Sequence, residues 1–129
     1  LKNDNILMAM GNSDVPVGQY TQKILAYYEL DEEELTNTGV ISYGTNAKEV
    51  TTQISEGSVD CGVIYGTDAV SAGLIIKDFA TAEMCGQVIY PAAVLNVSEN
   101  QELATEFLEF IQKDACMEIF EEVGFSRVQ

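Results

Sequence analysis

The sequence predicts an α/β fold with a largely parallel sheet flanked by helices. Short continuous apolar runs, each bounded by glycine, are followed by stretches with apolar residues at helical spacing, and this alternation repeats along the chain. The 129 residues are 47% hydrophobic and 21% charged, a globular balance with enough apolar material for one cored domain or one lobe of something larger.

Ile6-Leu7-Met8-Ala9-Met10 is short, wholly apolar and ended by Gly11-Asn12, which suits a buried parallel strand. The stretch Ser13 to Tyr20 follows, and it is the most informative in the chain. Pro16 lacks an N–H and has a fixed φ, so it fits the first position of a helix, with Ser13, Asp14 or Val15 capping or leading in. The amides of Val17 and Gly18 then have no carbonyl inside the helix to bond. They lie at the positive end of the macrodipole, and Gly18 has no side chain to keep a ligand away. Such a turn is an anion seat made of backbone. It is also how an ordinary loop starts a helix. The helix places Val17, Tyr20, Ile24, Leu25 and Tyr28 on one face and stops before the acidic run Asp31 to Glu34, which reads as a solvated face or the start of a short helix.

Val40 to Tyr43 is a second strand, opened by Gly39 and closed by Gly44. Thr45 or Asn46 caps a second helix from Ala47 to Ser55, with Val50 and Ile54 at the buried spacing and Gly57 just past its end. Ala47 and its neighbours offer further amides at a helix start. Asp60 to Tyr65 is a third strand with Tyr65 at its carboxyl end, where ligands collect in α/β sheets. Thr67 or Asp68 caps a short helix through Ser71, and Leu74 to Phe79 reads as a fourth strand. Gln87 to Leu95 is apolar but interrupted by Pro91, so it is expected at a sheet edge or as a crossing between lobes. Two amphipathic helices follow the loop Asn96 to Asn100. Leu103, Phe107, Phe110 and Ile111 mark the first, Met117, Phe120 and Val123 the second, with Gly124 ending it and Phe125 as an anchor.

Composition narrows the chemistry. There are 21 Asp and Glu against 6 Lys and Arg, a net charge of −15, and no histidine. The cations Lys2, Lys23, Lys48, Lys77, Lys113 and Arg127 are scattered, so no basic stripe is available for nucleic acid. An anion would have to be held by N–H and O–H dipoles. Without histidine no Ser-His pair forms, and neither a nucleophile elbow nor a phosphate-binding GxxxxGK[ST] loop occurs, so no enzyme is expected. Cys61, Cys85 and Cys116 lack metal or redox spacing, and Cys61 reads as a buried small hydrophobe. No metal site and no cofactor are expected. No apolar segment reaches the roughly 20 residues that a membrane span needs. The chain opens at Leu1 without an initiator methionine and reads as a piece of a longer protein. What remains is three loops, after Met10, Tyr43 and Tyr65, which a parallel sheet brings to one edge, where they can share one small ligand.

MGNSDVPVGQY, YGTNAKEV, DCGVIYGTDAVSAG, IYPAAVL and ATEFLEFIQ with EIFEEVGF resemble, in order and spacing, the molybdate-binding solute-binding proteins of ABC importers. The VP-x-G-x-Y turn and the VIYGTDAV segment are the more specific parts. The resemblance implies a type II periplasmic-binding-protein-like fold of two lobes closing on a tetrahedral oxyanion. It implies ligand contacts from the N–H of Val17, the N–H of Ala47 and the hydroxyl of Tyr65, supported by the loop residues Pro16, Gly18 and Asn46. Tyr65 can also be read as a core aromatic whose hydroxyl meets a carbonyl.

Residues 1–90 then correspond to the second ligand-binding lobe. Residues 91–129 correspond to a crossover strand and C-terminal helices that return to a first lobe. The implied ligand is molybdate or tungstate, and any metal is present only inside the oxyanion. The implied partner is a membrane permease and the implied location extracellular, periplasmic or lipid-anchored. The alternatives are an oxyanion-sensing domain of a regulator and a sulfate-type solute-binding protein. In a chain without its first lobe, the apolar side chains of the tail would fold back or form a dimer with a second copy.

Overall fold

The computed structural model describes residues 6–128. Lys2, one of the six cations, lies outside them. The element order is β1 (Met8–Gly11), α1 (Pro16–Tyr27), α2 (Glu32–Asn37), β2 (Ile41–Gly44), α3 (Ala47–Ser55), β3 (Cys61–Gly62), α4 (Gly66–Ser71), α5 (Ala82–Cys85), α6 (Gln101–Ile111) and α7 (Asp114–Glu122). The chain divides into two compact units, Leu1–Gln87 and Val88–Gln129.

The first unit carries the expected α/β architecture. Its parallel sheet has the order β2-β1-β3, with Met8 opposite both Ile41 and Cys61. Alternate residues of a strand face opposite sides. Met8 and Met10 therefore pack with Leu25, Leu35 and Ile41 on one face, while Ala9 meets Val50 and Val59 on the other. All four residues of β1 are buried, which explains why its sequence is apolar without alternation.

Local signals fix the helix ends. Pro16 occupies the start of α1. Asp31 caps α2 by accepting from the Glu34 amide at 3.0 Å, so the acidic run is indeed a short helix. Past α3, Gly57 takes φ +67°, its amide bonds the Ile54 carbonyl, and Ser58 bonds that of Gln53. That pair of bonds is the Schellman closure.

Several expectations are corrected. α1 buries Val17, Gly18, Thr21 and Leu25, while Tyr20 and Ile24 are half-buried and Tyr28 is 50% exposed. Thr21 is fully enclosed because its hydroxyl donates to the Val17 carbonyl at 2.7 Å, which hides its polarity. β3 is shorter than Asp60 to Tyr65: it ends at Gly62, with one further bond from the Val63 amide to the Ala9 carbonyl. Cys61 is exposed on this edge strand, not buried. Residues 74–79 form no strand: Ile75 and Phe79 are 79% and 68% exposed, and no ladder partner reaches them among the described residues.

Residues 87–95 likewise form no strand, and Pro91 has no amide to offer one. In the second unit, α6 turns Ala104, Leu108 and Ile111 toward half-buried positions but leaves Leu103, Phe107 and Phe110 exposed. α7 closes as expected: Gly124 takes φ +95°, Phe125 bonds the Phe120 carbonyl, and the two rings meet edge-on at 5.9 Å. Among the described residues no helix is long and apolar enough to cross a membrane.

Candidate functional site

All three strands run in parallel, so the loops that follow Gly11, Gly44 and Gly62 leave the same edge of the sheet. Each strand thus ends in glycine, and each glycine admits a close neighbour. A Cβ on Gly11 would lie 2.8 Å from Val17 Cγ1 and 2.9 Å from the Gly18 nitrogen. One on Gly44 would lie 2.7 Å from Val50 Cγ2, and one on Gly62 would lie 2.9 Å from the Ala9 carbonyl oxygen and crowd Ile54. Missing side chains at the strand ends let α1 and α3 pack directly onto the sheet edge.

The first loop is pinned on both sides. The Asn12 amide donates to the Gly44 carbonyl at 2.9 Å, and the Asn12 carboxamide accepts from the Asp14 amide at 3.0 Å. Val15 is the N-cap of α1, without a side-chain hydrogen bond; Ser13 and Asp14 stand exposed. Gly18 serves a different purpose from the one its small size suggested. A Cβ there would collide with the carbonyls of Gly11 and Asn12, so what approaches Gly18 is the chain's own backbone. Its amide is also engaged, with the Val15 carbonyl at 3.0 Å. Of the two amides expected to be open, only that of Val17, at the second helical position, has no acceptor among the described residues.

The second loop is capped by Asn46, whose side-chain oxygen accepts from the Glu49 amide at 2.8 Å. Glu49 reaches back to accept from the amide and hydroxyl of Thr45 at 2.7 and 2.8 Å. These donors pull its carboxyl below the ordinary carboxylate range. The Ala47 and Lys48 amides have no acceptor among the described residues.

Tyr65 is not at a strand end. It caps α4 three residues beyond Gly62, half-buried, with its carbonyl accepting from Asp68 and Ala69. Thr67 and Asp68 therefore lie inside that helix instead of capping it. The topology sends Val17, Ala47 and Tyr65 to one sheet edge. Val17 and Ala47 follow adjacent strands whose exits are hydrogen-bonded to each other.

The family model described as bacterial extracellular solute-binding protein matches residues 1–126. The chain belongs to that family. A Bacillus subtilis (strain 168) member, YvgL, named as a candidate ABC transporter substrate-binding lipoprotein, is 33% identical over 121 residues. The alignment covers 92% of this chain and 45% of that protein. Among solved structures, the substrate-binding domain of a candidate molybdenum ABC transporter from Clostridium difficile matches with TM-score 0.81 and 26% identity, over 98% of this chain and 56% of that one. The periplasmic molybdate-binding protein of Azotobacter vinelandii matches with TM-score 0.79 over the same shares; at 18% identity this likeness speaks to the fold alone. The chain spans about half the length of these relatives. The type II periplasmic-binding-protein-like fold expected from the resemblance is thereby the fold of this family member.

Two features of the site carry weaker signals in the sequence. Gly11 and Gly44 read as punctuation that closes a strand and Gly62 as a residue inside the third strand, and none of the three signals a packing surface. The Asn46-x-x-Glu49 spacing is a capping-box pattern, readable in principle, and it brings Glu49 to the loop.

Proposed function

We propose that the whole protein is the solute-binding receptor of an ABC importer. It captures a tetrahedral oxyanion, molybdate or tungstate, outside the membrane and hands it to a membrane permease. The observation that carries this reading is the pair of uncommitted amides, Val17 and Ala47, at helix starts that follow adjacent strands. Tyr65 adds a hydroxyl from the third loop. The names of the relatives support the ligand class and the extracellular or lipid-anchored location. In this reading residues 1–90 are the second ligand-binding lobe, residues 91–129 return to the first, and the first lobe completes the shell. The protein transports and does not catalyse.

Isothermal titration of the full-length protein with molybdate, tungstate, sulfate and phosphate tests it. Molybdate and tungstate bind tightly and sulfate less so. Tight phosphate binding at neutral pH overturns the reading, because a protonated anion needs an acceptor and this shell offers donors. The residue-level test is Ala47→Pro. Ala47 is the first residue of α3 and Asn46 before it is extended at φ −160°, ψ 165°, so proline fits and removes only the N–H. Losing one hydrogen bond to a charged ligand costs about 1.5–3 kcal/mol, roughly ten- to a hundredfold in affinity.

A further inference from the structure

We infer that Glu49 is a positioning residue of this seat: by holding the amide and hydroxyl of Thr45, its carboxylate fixes the chain entering Ala47 and removes Thr45 as a donor to the ligand. The inference rests on the reading of Ala47 as an oxyanion donor and deepens it. A carboxylate beside a seat for anions is electrostatically unfavourable to the ligand. Its presence is explained by what it holds. One oxygen, Oε2, takes both polar hydrogens of Thr45 at 2.7 and 2.8 Å. From the other direction, the Asn46 side-chain nitrogen donates to the Thr45 hydroxyl oxygen at 3.4 Å, and the Glu49 amide closes the circuit on Asn46 at 2.8 Å.

The consequence for ligand chemistry follows from counting protons. A threonine hydroxyl has one, and here it is committed to Glu49, so its remaining capacity is to accept. A fully deprotonated oxyanion cannot use an acceptor. The loop then meets the ligand through the Ala47 and Lys48 amides, whose direction is set by a circuit tied at Thr45, Asn46 and Glu49. The side chains of Thr45, Asn46 and Glu49 are all exposed, so hydrogen bonds of the circuit, and not burial of those side chains, hold them in this turn.

Two substitutions separate holding from charge. Glu49→Gln keeps an acceptor oxygen and loses the charge; Glu49→Ala loses both. Isothermal titration of the full-length protein with sodium molybdate is the readout, with thermal unfolding as the check on folding. Glu49→Ala weakens binding roughly tenfold, the scale of one misplaced hydrogen bond to a charged group. Glu49→Gln restores the affinity to that of the unaltered protein or better. An Ala variant that binds as tightly as the unaltered protein overturns the inference, and so does a Gln variant as weak as Ala. Glu49→Met, which keeps the helical stem without an acceptor, is read by the same criteria if the Ala variant does not fold. Ala47→Pro keeps the two readings apart. If it leaves binding unchanged, the seat itself is wrong; if it weakens binding while Glu49→Ala does not, only the role of Glu49 fails.

Discussion

The amide of Asn12 donates to the carbonyl of Gly44 at 2.9 Å, one step beyond the last paired residues of β1 and β2. This bond carries the ladder past the strands and into the turns, so the lead-ins to α1 and α3 start at strand spacing, about 4.8 Å apart. Two helix starts leave adjacent strands at one edge, and their positive dipole ends act on the same region. In a chain of net charge −15, these helix starts add positive potential from the backbone, beside the single cation Lys48 in the first turn of α3.

On the proposed reading, Tyr65→Phe is expected to weaken molybdate binding by the full-length protein roughly ten- to a hundredfold, the worth of one hydrogen bond to a charged group. The backbone cap of α4 does not depend on the hydroxyl, because the Asp68 and Ala69 amides bond the Tyr65 carbonyl. Titration calorimetry checks this, and an unchanged dissociation constant assigns the hydroxyl to the protein's interior instead.

Gly18→Ala destabilises the fold. Helix propensity alone would favour alanine by about 1 kcal/mol. The added Cβ, however, meets the carbonyls of Gly11 and Asn12, which are backbone and cannot turn aside. Overpacking of this kind costs roughly 1–3 kcal/mol. The sign of the shift in urea midpoint, at constant slope, decides between the two effects.

What the sequence made legible were features settled within a few residues. Pro16 at a helix start, Asn46 as a cap, Gly57 and Gly124 past helix ends, and the apolar run of β1 all follow from local sterics and hydrogen bonding. What it hid depends on distant partners. Thr21 reads as polar until its hydroxyl is seen bonding the preceding turn. Residues 74–79 have a strand's composition but no ladder to join, and Cys61 sits in an apolar run yet on an exposed edge. At the site, the helix starts at Val17 and Ala47 were readable. The occupation of the Gly18 amide was not, because it depends on Val15 being the N-cap, and the closeness of Gly18 to Gly11 was not, because it arises from packing of α1 on the strand end.

Tyr43 makes stability sensitive to alkali. Its hydroxyl donates to Glu32 at 2.8 Å and shares a 2.8 Å hydrogen bond with Thr36. Burial raises its pKa above 10.0, and the Glu32 carboxylate adds to the rise while Thr36 opposes it. A raised folded-state pKa stabilises below the unfolded value and is lost as pH rises through the folded one. The advantage of the unaltered protein over Tyr43→Phe in thermal midpoint is therefore full at neutral pH and shrinks as pH passes 10.0. A gap independent of pH would show that folding leaves the phenol's pKa unchanged.

The isolated 129-residue chain is expected to self-associate through α6. Leu103, Phe107 and Phe110 are 67%, 63% and 52% exposed along one stripe of that helix. The net charge of −15 opposes association, but salt screens it whereas apolar burial acts at contact. Light scattering after size exclusion shows dimers that strengthen with salt, and Leu103→Gln with Phe107→Gln restores the monomer. A monomer at every concentration and salt level contradicts this.

Glycine at the end of every strand bears on how fast a ligand is caught. Loops that must be ordered on binding slow the encounter and lower affinity. Here Gly11 and Gly44 let the helices seat on the strand ends, so that part of the rim is built into the packed fold with no ligand bound. If the ligand is a dianion, as proposed above, long-range repulsion from the acidic residues of this chain opposes its approach, and ionic strength relieves that repulsion.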